Sequence, residues 1–164
     1  MFNIFKVKGK KNIIALLISV LLAQGIGLLS GFLSMSPTNA YESFNKPSFS
    51  PPGWIFPVVW TILFLLMAVA AYRIWMSCKS GVDVSKALIL YGIQLFLNFL
   101  WSIIFFRYRL YALAFLELLV LLVFILLTTF EFYRIDKTAG YLMIPYIAWV
   151  SFAGVLNYTI WMLN

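Results

Sequence analysis

The sequence has no histidine, and it has only one cysteine, Cys78, among its 164 residues. Without histidine the chain cannot build a Ser-His-Asp triad, a zincin helix or a bis-histidine haem site. A lone cysteine can form neither an internal disulfide nor a CxxC redox pair. We therefore expect no metal ion, no resident cofactor and no conventional catalytic set.

Charged residues are also scarce, at 10% of the chain, whereas 64% of the residues are hydrophobic. A soluble domain has about 25% charged and about 45–50% apolar residues, and one of this length could not bury so much apolar surface. The five acids are too scattered for a metal cage: Glu42, Asp83, Glu117, Glu131 and Asp136. The composition excludes an ordinary cytosolic enzyme, a disordered tail and a nucleic-acid-binding protein, and it indicates an integral membrane protein.

The apolar residues fall into segments that are long enough to cross a bilayer, which takes about 20 residues of helix. There are five such segments, at about 12–34, 55–77, 86–106, 110–131 and 140–162. We therefore predict an all-α fold, an integral membrane bundle of five transmembrane helices in a single domain over residues 1–164. The longest link, residues 35–54, would be a loop at one end of the bundle.

The first span has a basic start and could be mistaken for a secretory signal. Its apolar run from Ile13 to Leu33 is longer than a signal h-region of about 7–15 residues. We expect it to be retained as the first helix, with a cleaved signal as the alternative. Within it, Ala23, Gly27 and Gly31 recur every four residues, a spacing that allows close helix packing inside the chain or in a homodimer.

The net charge of +7 comes from basic residues that cluster on one side of the predicted bundle, and this distribution indicates the membrane orientation. Lys46, Arg107 and Arg109 lie on the side with the long loop. The other nine of the twelve lie on the side with the N-terminus: Lys6, Lys8, Lys10, Lys11, Arg73, Lys79, Lys86, Arg134 and Lys137. Basic residues favour the cytoplasmic side, so we predict the N-terminus inside and the C-terminus outside.

Three predicted helices carry polar or aromatic residues at helical spacing. The faces are Pro57, Trp60 and Phe64 in the second span, Gln94, Asn98 and Ser102 in the third, and Tyr146, Trp149, Ala153, Asn157 and Trp161 in the fifth. Taken singly, each face indicates helix packing or interhelical hydrogen bonds. Taken together, they predict an apolar pocket with a few polar anchors, which is typical of a small-molecule site.

Residues 41–54 of the loop between the first two spans hold three of the six prolines and four aromatic residues, Tyr41, Phe44, Phe49 and Trp54. Proline restricts its own backbone and that of its predecessor, so we expect an ordered, irregular segment. Two interpretations stay open. The aromatic residues could lie at the level of the lipid headgroups, or the loop could be a lid over a cavity in the bundle.

Glu117 is the one acid near the centre of a predicted span. An ionisable group there is costly and indicates a function by default. Because no second charge lies at a span centre, a proton relay is not expected, and we favour a protonated or hydrogen-bonded structural acid.

Three segments of the chain carry recognisable motifs. They are KPSFSPPG at residues 46–53, NFLWS at 98–102 and PYIAWVSFAGVLNYTIW at 145–161. With these motifs the chain resembles the family of tryptophan-rich sensory proteins and translocator proteins, also called the peripheral benzodiazepine receptor family. The resemblance extends over essentially the whole chain and keeps the order of all five spans.

The resemblance implies a membrane receptor or sensor in a bacterial plasma membrane, often dimeric, that binds tetrapyrroles such as protoporphyrin IX and benzodiazepine-like ligands. Porphyrin transport is a further activity that it implies. Tyr41 and Pro51 would lie on the lid side of the pocket. The lining residues that the resemblance implies are Trp60, Asn98, Ser102, Trp149, Ala153 and Asn157. We add Tyr146 because it lies on the same face of the fifth span.

The resemblance also implies an alternative, because the tryptophans that match Trp60 and Trp149 are associated in the family with light- and oxygen-dependent breakdown of porphyrins. Those two residues would then be the catalytic ones, and whether the chain is an enzyme is left open. The porphyrin propionates would meet Lys46 or amide donors. Sterol binding is not expected at Tyr158, since no basic residue follows it as the sterol motif requires.

Overall fold

The computed structural model describes residues 4–34 and 43–164. Within these residues the chain forms helices α1 Ile13–Leu33, α2 Ile55–Cys78, α3 Ser85–Ser102, a π-helical turn Ile103–Arg107, α4 Tyr111–Ile135 and α5 Lys137–Leu163. All five α-helices, α3 together with its π-helical turn, are long and apolar enough to cross a membrane. The predicted all-α bundle of five transmembrane helices is confirmed. The last two helices extend a few residues beyond the predicted bounds.

Two short polar side chains set the starts of helices. The Asn12 side chain accepts a hydrogen bond from the backbone N–H of Ala15 at 3.0 Å, and so caps α1. Asp136 does the same for α5, accepting from Ala139 N–H at 3.1 Å. Such caps satisfy backbone donors that the first turn of a helix leaves free. Asp136 is also the only residue between α4 and α5, so these two helices form a tight antiparallel pair.

Around the bundle the helices follow the order α1, α2, α5, α4, α3, with each helix packed on the next. The contact between α4 and α5 is the most extensive of these, and the contact that closes the ring, between α1 and α3, is the weakest. The second half of α2 is mostly buried, and Met67, Ala68 and Ile74 there have exposures of 0%. The bundle is therefore compact around α2 and α5 and more open between α1 and α3.

The small residues of α1 serve packing inside the chain. A Cβ atom at Gly27 would lie 2.5 Å from Cε2 of Phe64 on α2, so only glycine permits this approach. Ala23, one turn earlier, is buried. The spacing was predicted to allow close helix packing either inside the chain or in a homodimer. The structure shows packing inside the chain, and a homodimer stays a prediction.

The N-terminal segment is held against the end of α2 by Arg73 and Tyr72. Arg73 donates from Nη1 to the Ile4 carbonyl at 2.5 Å and pairs through Nη2 with Asp136 Oδ2 at 2.7 Å. The Tyr72 hydroxyl donates to the Phe5 carbonyl at 3.0 Å and accepts from Asn12 N–H at 3.0 Å. A buried ion pair thus joins three parts of the chain at this end of the bundle.

At the opposite end, the described part of the long loop packs on the helices. Phe44 is buried, with its ring centroid 5.7 Å from that of Phe105 and 5.4 Å from that of Tyr111. Asn45 and Asn164 exchange two hydrogen bonds, at 3.1 Å and 3.0 Å. The loop after residue 42 is therefore attached both to the π-helical end of α3 and to the end of α5.

Candidate ligand cavity

A cavity of about 920 Å³ lies between α1, α2 and α3, where the helix ring is most open. Small-molecule sites have volumes of about 300–1,000 Å³ and mostly apolar walls with a few polar groups. The described wall residues are Gln24, Gly27, Leu28, Ser30, Gly31, Phe32, Leu33, Gly53, Phe56, Pro57, Trp60, Thr61, Phe64, Asn98, Trp101, Ser102, Phe106 and Arg107. The cavity has the size and lining of a site for a large, mostly apolar ligand.

The two facing helices contribute different surfaces. The wall of α1 includes Gly27 and Gly31, and a Cβ atom at Gly31 would meet no other atom within 4 Å. The wall of α2 is aromatic, and the rings of Trp60 and Phe64 have centroids 5.7 Å apart at an angle of 35°. A flat apolar molecule can stack on such rings, and Gly31 on α1 leaves room for it.

The part of the wall that α3 contributes contains the polar residues Asn98 and Ser102, and α3 ends in a π-helical turn. Tyr108 N–H donates to the Ile103 carbonyl at 3.1 Å, the five-residue spacing of a π turn. Arg107 lies one π turn after Ser102, and both residues line the cavity together with Asn98. Single π turns occur often at functional sites, and here the turn brings a charged group to the cavity edge.

The polar residues predicted on α5 lie behind the α3 part of the wall and form hydrogen bonds with it. Asn98 donates from Nδ2 to the Tyr146 hydroxyl at 2.8 Å, and that hydroxyl donates to Gln94 Oε1 at 2.9 Å. Trp101 donates from Nε1 to Asn157 Oδ1 at 3.1 Å. Tyr146 and Asn157 therefore orient two wall residues, Asn98 and Trp101, through hydrogen bonds between helices.

Trp149 and Ala153 are not among the described wall residues. The ring of Trp149 packs on Phe56, a wall residue, with centroids 5.8 Å apart, and on Phe152 at 5.6 Å. Its Nε1 is buried without a hydrogen-bond partner among the described residues. Ala153, one turn later, is buried with an exposure of 6%. Direct contact of Trp149, Ala153, Tyr146 and Asn157 with a ligand stays a prediction.

The lid residues are placed only in part. Pro51 lies in the loop two residues before Gly53, which is buried and lines the cavity. Tyr41 lies outside the described residues. Of the predicted ligand residues, the structure thus brings Trp60, Asn98 and Ser102 to one cavity. Ser102 Oγ is also within 2.7 Å of Ser34 Oγ, which joins α3 to the end of α1.

Sequence patterns did not indicate Arg107, Trp101 or the α1 glycines as wall residues. In the sequence, Arg107 stands out only as a basic residue on the side of the long loop, and Trp101 only as part of the NFLWS motif. The glycine spacing in α1 predicted close packing, which Gly27 makes, whereas Gly31 one turn later faces open space. A run of small residues opposite an aromatic helix face is the signal that could have located this wall.

Glu117 lies on α4, which contributes no residue to the described cavity wall. Both of its carboxylate oxygens are buried and lack a hydrogen-bond partner among the described residues. The interpretation of Glu117 as a structural acid stays a prediction.

Five membrane-spanning helices with an apolar, ring-lined cavity define a multi-pass membrane protein with a site for a hydrophobic ligand. The profile of the TspO/MBR family matches residues 18–162. The chain therefore belongs to the TspO/MBR family, and the resemblance read from its motifs is confirmed.

Similar proteins are found in bacteria and animals. The chain is 37% identical over 155 residues to the tryptophan-rich protein TspO of Chlorobaculum tepidum, covering 94% of this chain and 98% of that one. It is 37% identical over 150 residues to the tryptophan-rich sensory protein of Cereibacter sphaeroides, covering 92% of each. It is 34% identical over 145 residues to the human translocator protein, covering 85% of each.

Proposed function

We propose that the chain is a membrane receptor or sensor that binds tetrapyrroles such as protoporphyrin IX in the cavity between α1, α2 and α3. The observation that carries this proposal is the 920 Å³ cavity with Trp60 and Phe64 on one wall and Gly31 on the other. A flat apolar macrocycle gains free energy both from burial and from stacking on these rings. Benzodiazepine-like ligands would use the same cavity.

The membership in the TspO/MBR family supports this proposal, since relatives over nearly the whole chain are named sensory and translocator proteins. Porphyrin transport would use the same cavity as an intermediate site. We also propose a bacterial plasma membrane as the location, with the N-terminus inside and the C-terminus outside. A homodimer stays a prediction.

Substitution of Trp60 tests the proposal, because this indole forms part of the aromatic wall. We expect Trp60→Leu to raise the dissociation constant for protoporphyrin IX about tenfold, and Trp60→Phe to raise it less. Tenfold corresponds to about 1.4 kcal/mol, the size of one lost aromatic contact. The measurement is a titration of the protein in lipid nanodiscs, in the dark, followed by porphyrin absorbance.

Trp75→Leu is the matched control. Trp75 also lies on α2 but is outside the cavity wall. Its ring is in contact with Lys79, whose Nζ lies 4.2 Å from the ring centroid. We expect the affinity of this variant to equal that of the unaltered chain. Equal affinities in Trp60→Leu and Trp75→Leu would contradict the proposed site.

The same samples, illuminated in air, test porphyrin degradation. Conversion to a defined product that is lost in Trp60→Phe or Trp149→Phe would support the degradative alternative. Quenching of fluorescence without a new absorbing product would support binding alone. The indole of Trp60 lines the cavity, whereas Trp149 is not a described wall residue and packs on Phe56, which is one. A strictly Trp60-dependent reaction would therefore fit the geometry better than one that depends on Trp149.

A further inference from the structure

Arg107 is the one charged residue in the described wall of the cavity. It is the last residue of the π-helical turn, and its side chain is exposed at the cavity edge. All other described wall residues are apolar or neutral. A ligand in the cavity therefore meets the positive charge of Arg107 in a space that is otherwise uncharged.

The guanidinium of Arg107 is weakly engaged within the described chain. Its Nη1 donates one long hydrogen bond, at 3.4 Å, to the Leu33 carbonyl at the end of α1. The ion pairs among the described residues use other cations, Arg73, Lys86 and Arg134. Arginine carries five donors in a planar fork that matches a carboxylate. At Arg107, most of these donors have no partner among the described residues.

The neutral polar side chains of the wall already take part in hydrogen bonds, most of them between helices. Asn98 Nδ2 donates to the Tyr146 hydroxyl at 2.8 Å, and Ser102 Oγ is 2.7 Å from Ser34 Oγ. Lys46, which together with amide donors is expected from the sequence to meet the propionates, is not one of the described wall residues. An anionic group on a ligand in the cavity thus has Arg107 as its cationic partner among the described wall residues.

We propose that Arg107 is a carboxylate-binding subsite of the cavity. It pairs with an acidic substituent of the ligand while the apolar body of the ligand lies against Trp60. This inference rests on the proposed function and refines it, because it defines the ligand class as a flat apolar molecule that carries a carboxylate at its edge. For a tetrapyrrole, the carboxylate is that of a propionate side chain.

The test compares protoporphyrin IX with its dimethyl ester, which has the same ring but no carboxylate. Arg107→Gln is expected to raise the dissociation constant for the diacid about 10- to 100-fold, the usual range for one hydrogen-bonded charged partner. Its dissociation constant for the ester is expected to stay unchanged. Arg107→Lys is expected to recover part of the loss, because lysine keeps the charge but not the two-pronged geometry.

Arg109→Gln is the matched control. Arg109 lies two residues further on, outside the cavity wall, with its guanidinium carbon 5.8 Å from the ring centroid of Phe44. The control removes the same charge from the same end of the bundle, and it is expected to bind the diacid like the unaltered chain. Equal losses in Arg107→Gln and Arg109→Gln would overturn the subsite, because only long-range charge would then matter.

Two results separate failure of the subsite from failure of the proposed function. If the unaltered chain binds diacid and ester equally tightly, and Arg107→Gln changes neither, the subsite is overturned while tetrapyrrole binding stands. If the unaltered chain binds neither compound, both proposals are overturned. A diacid preference that disappears only in Arg107→Gln supports the subsite.

Discussion

Replacement of Asp136 by alanine is expected to lower the free energy of unfolding by about 3–5 kcal/mol, the usual cost of removing one partner of a buried ion pair. Asp136 pairs with the Arg73 guanidinium at 3.2 Å and 2.7 Å, and Arg73 is only 6% exposed. The substitution leaves that cation without a carboxylate. It also removes the side-chain cap of α5 at Ala139 N–H. Unfolding of the protein in mixed micelles by increasing SDS, followed by helicity, measures the change.

Two further variants separate the pair from the cap. Asp136→Asn keeps a side-chain oxygen for the cap but removes the charge, so it is expected to retain only the smaller, capping part of the stability. Arg73→Leu combined with Asp136→Ala is expected to be more stable than Asp136→Ala alone, because no unpaired charge is left buried.

Asp83→Asn provides the control for a carboxylate outside the buried pair. Asp83 is exposed and accepts a hydrogen bond from Ser85 N–H at 2.9 Å before α3. Its replacement is expected to cost less than about 1 kcal/mol, as is usual for surface changes. If Asp136→Ala proved as mild as Asp83→Asn, the ion pair would not hold the N-terminal segment and the helix ends together as described.

Gly31→Leu is expected to weaken tetrapyrrole binding about 10- to 100-fold. A Cβ atom at Gly31 meets no other atom within 4 Å, and the residue lines the cavity. The leucine side chain would therefore begin in open space beside the cavity and is expected to occupy part of the ligand's space. Forcing a ligand against it costs about 1–3 kcal/mol, as overpacking does in protein interiors. The same nanodisc titration measures the loss.

Gly25→Leu is the control for this substitution. Gly25 also lies on α1 with no atom within 4 Å of its Cβ position, but it is exposed and outside the cavity wall. Both variants gain helix propensity, by up to about 1 kcal/mol, so any shared effect on folding appears in the control. Equal binding by Gly31→Leu and Gly25→Leu would show that ligands bind elsewhere.

Most of the fold could be predicted from the sequence, because the bilayer requires long apolar helices and the composition leaves little else. Helix ends were harder to place, since α4 and α5 meet at a single residue, Asp136. The sequence shows only a short charged stretch there, whereas the structure uses Asp136 both as a cap and as the partner of Arg73.

The candidate site could be predicted only in part, because helical spacing gives the face of each helix but not which faces meet. The faces of Trp60 and of Asn98 with Ser102 do meet at the cavity. The α5 amide Asn157 instead bonds to the indole of Trp101, and α1 supplies the facing wall. Arg107 reaches the cavity through a π turn, whose five-residue spacing no regular helical pattern predicts.

The central claim is that the ligand occupies the space between α1, α2 and α3. A structure of the protein with bound protoporphyrin IX tests this most directly. We expect the macrocycle in van der Waals contact with Gly31 and Trp60, and a propionate within hydrogen-bond distance of Arg107. A macrocycle bound against Trp149 and Ala153 instead, with the space beside Gly31 unoccupied, would contradict the account.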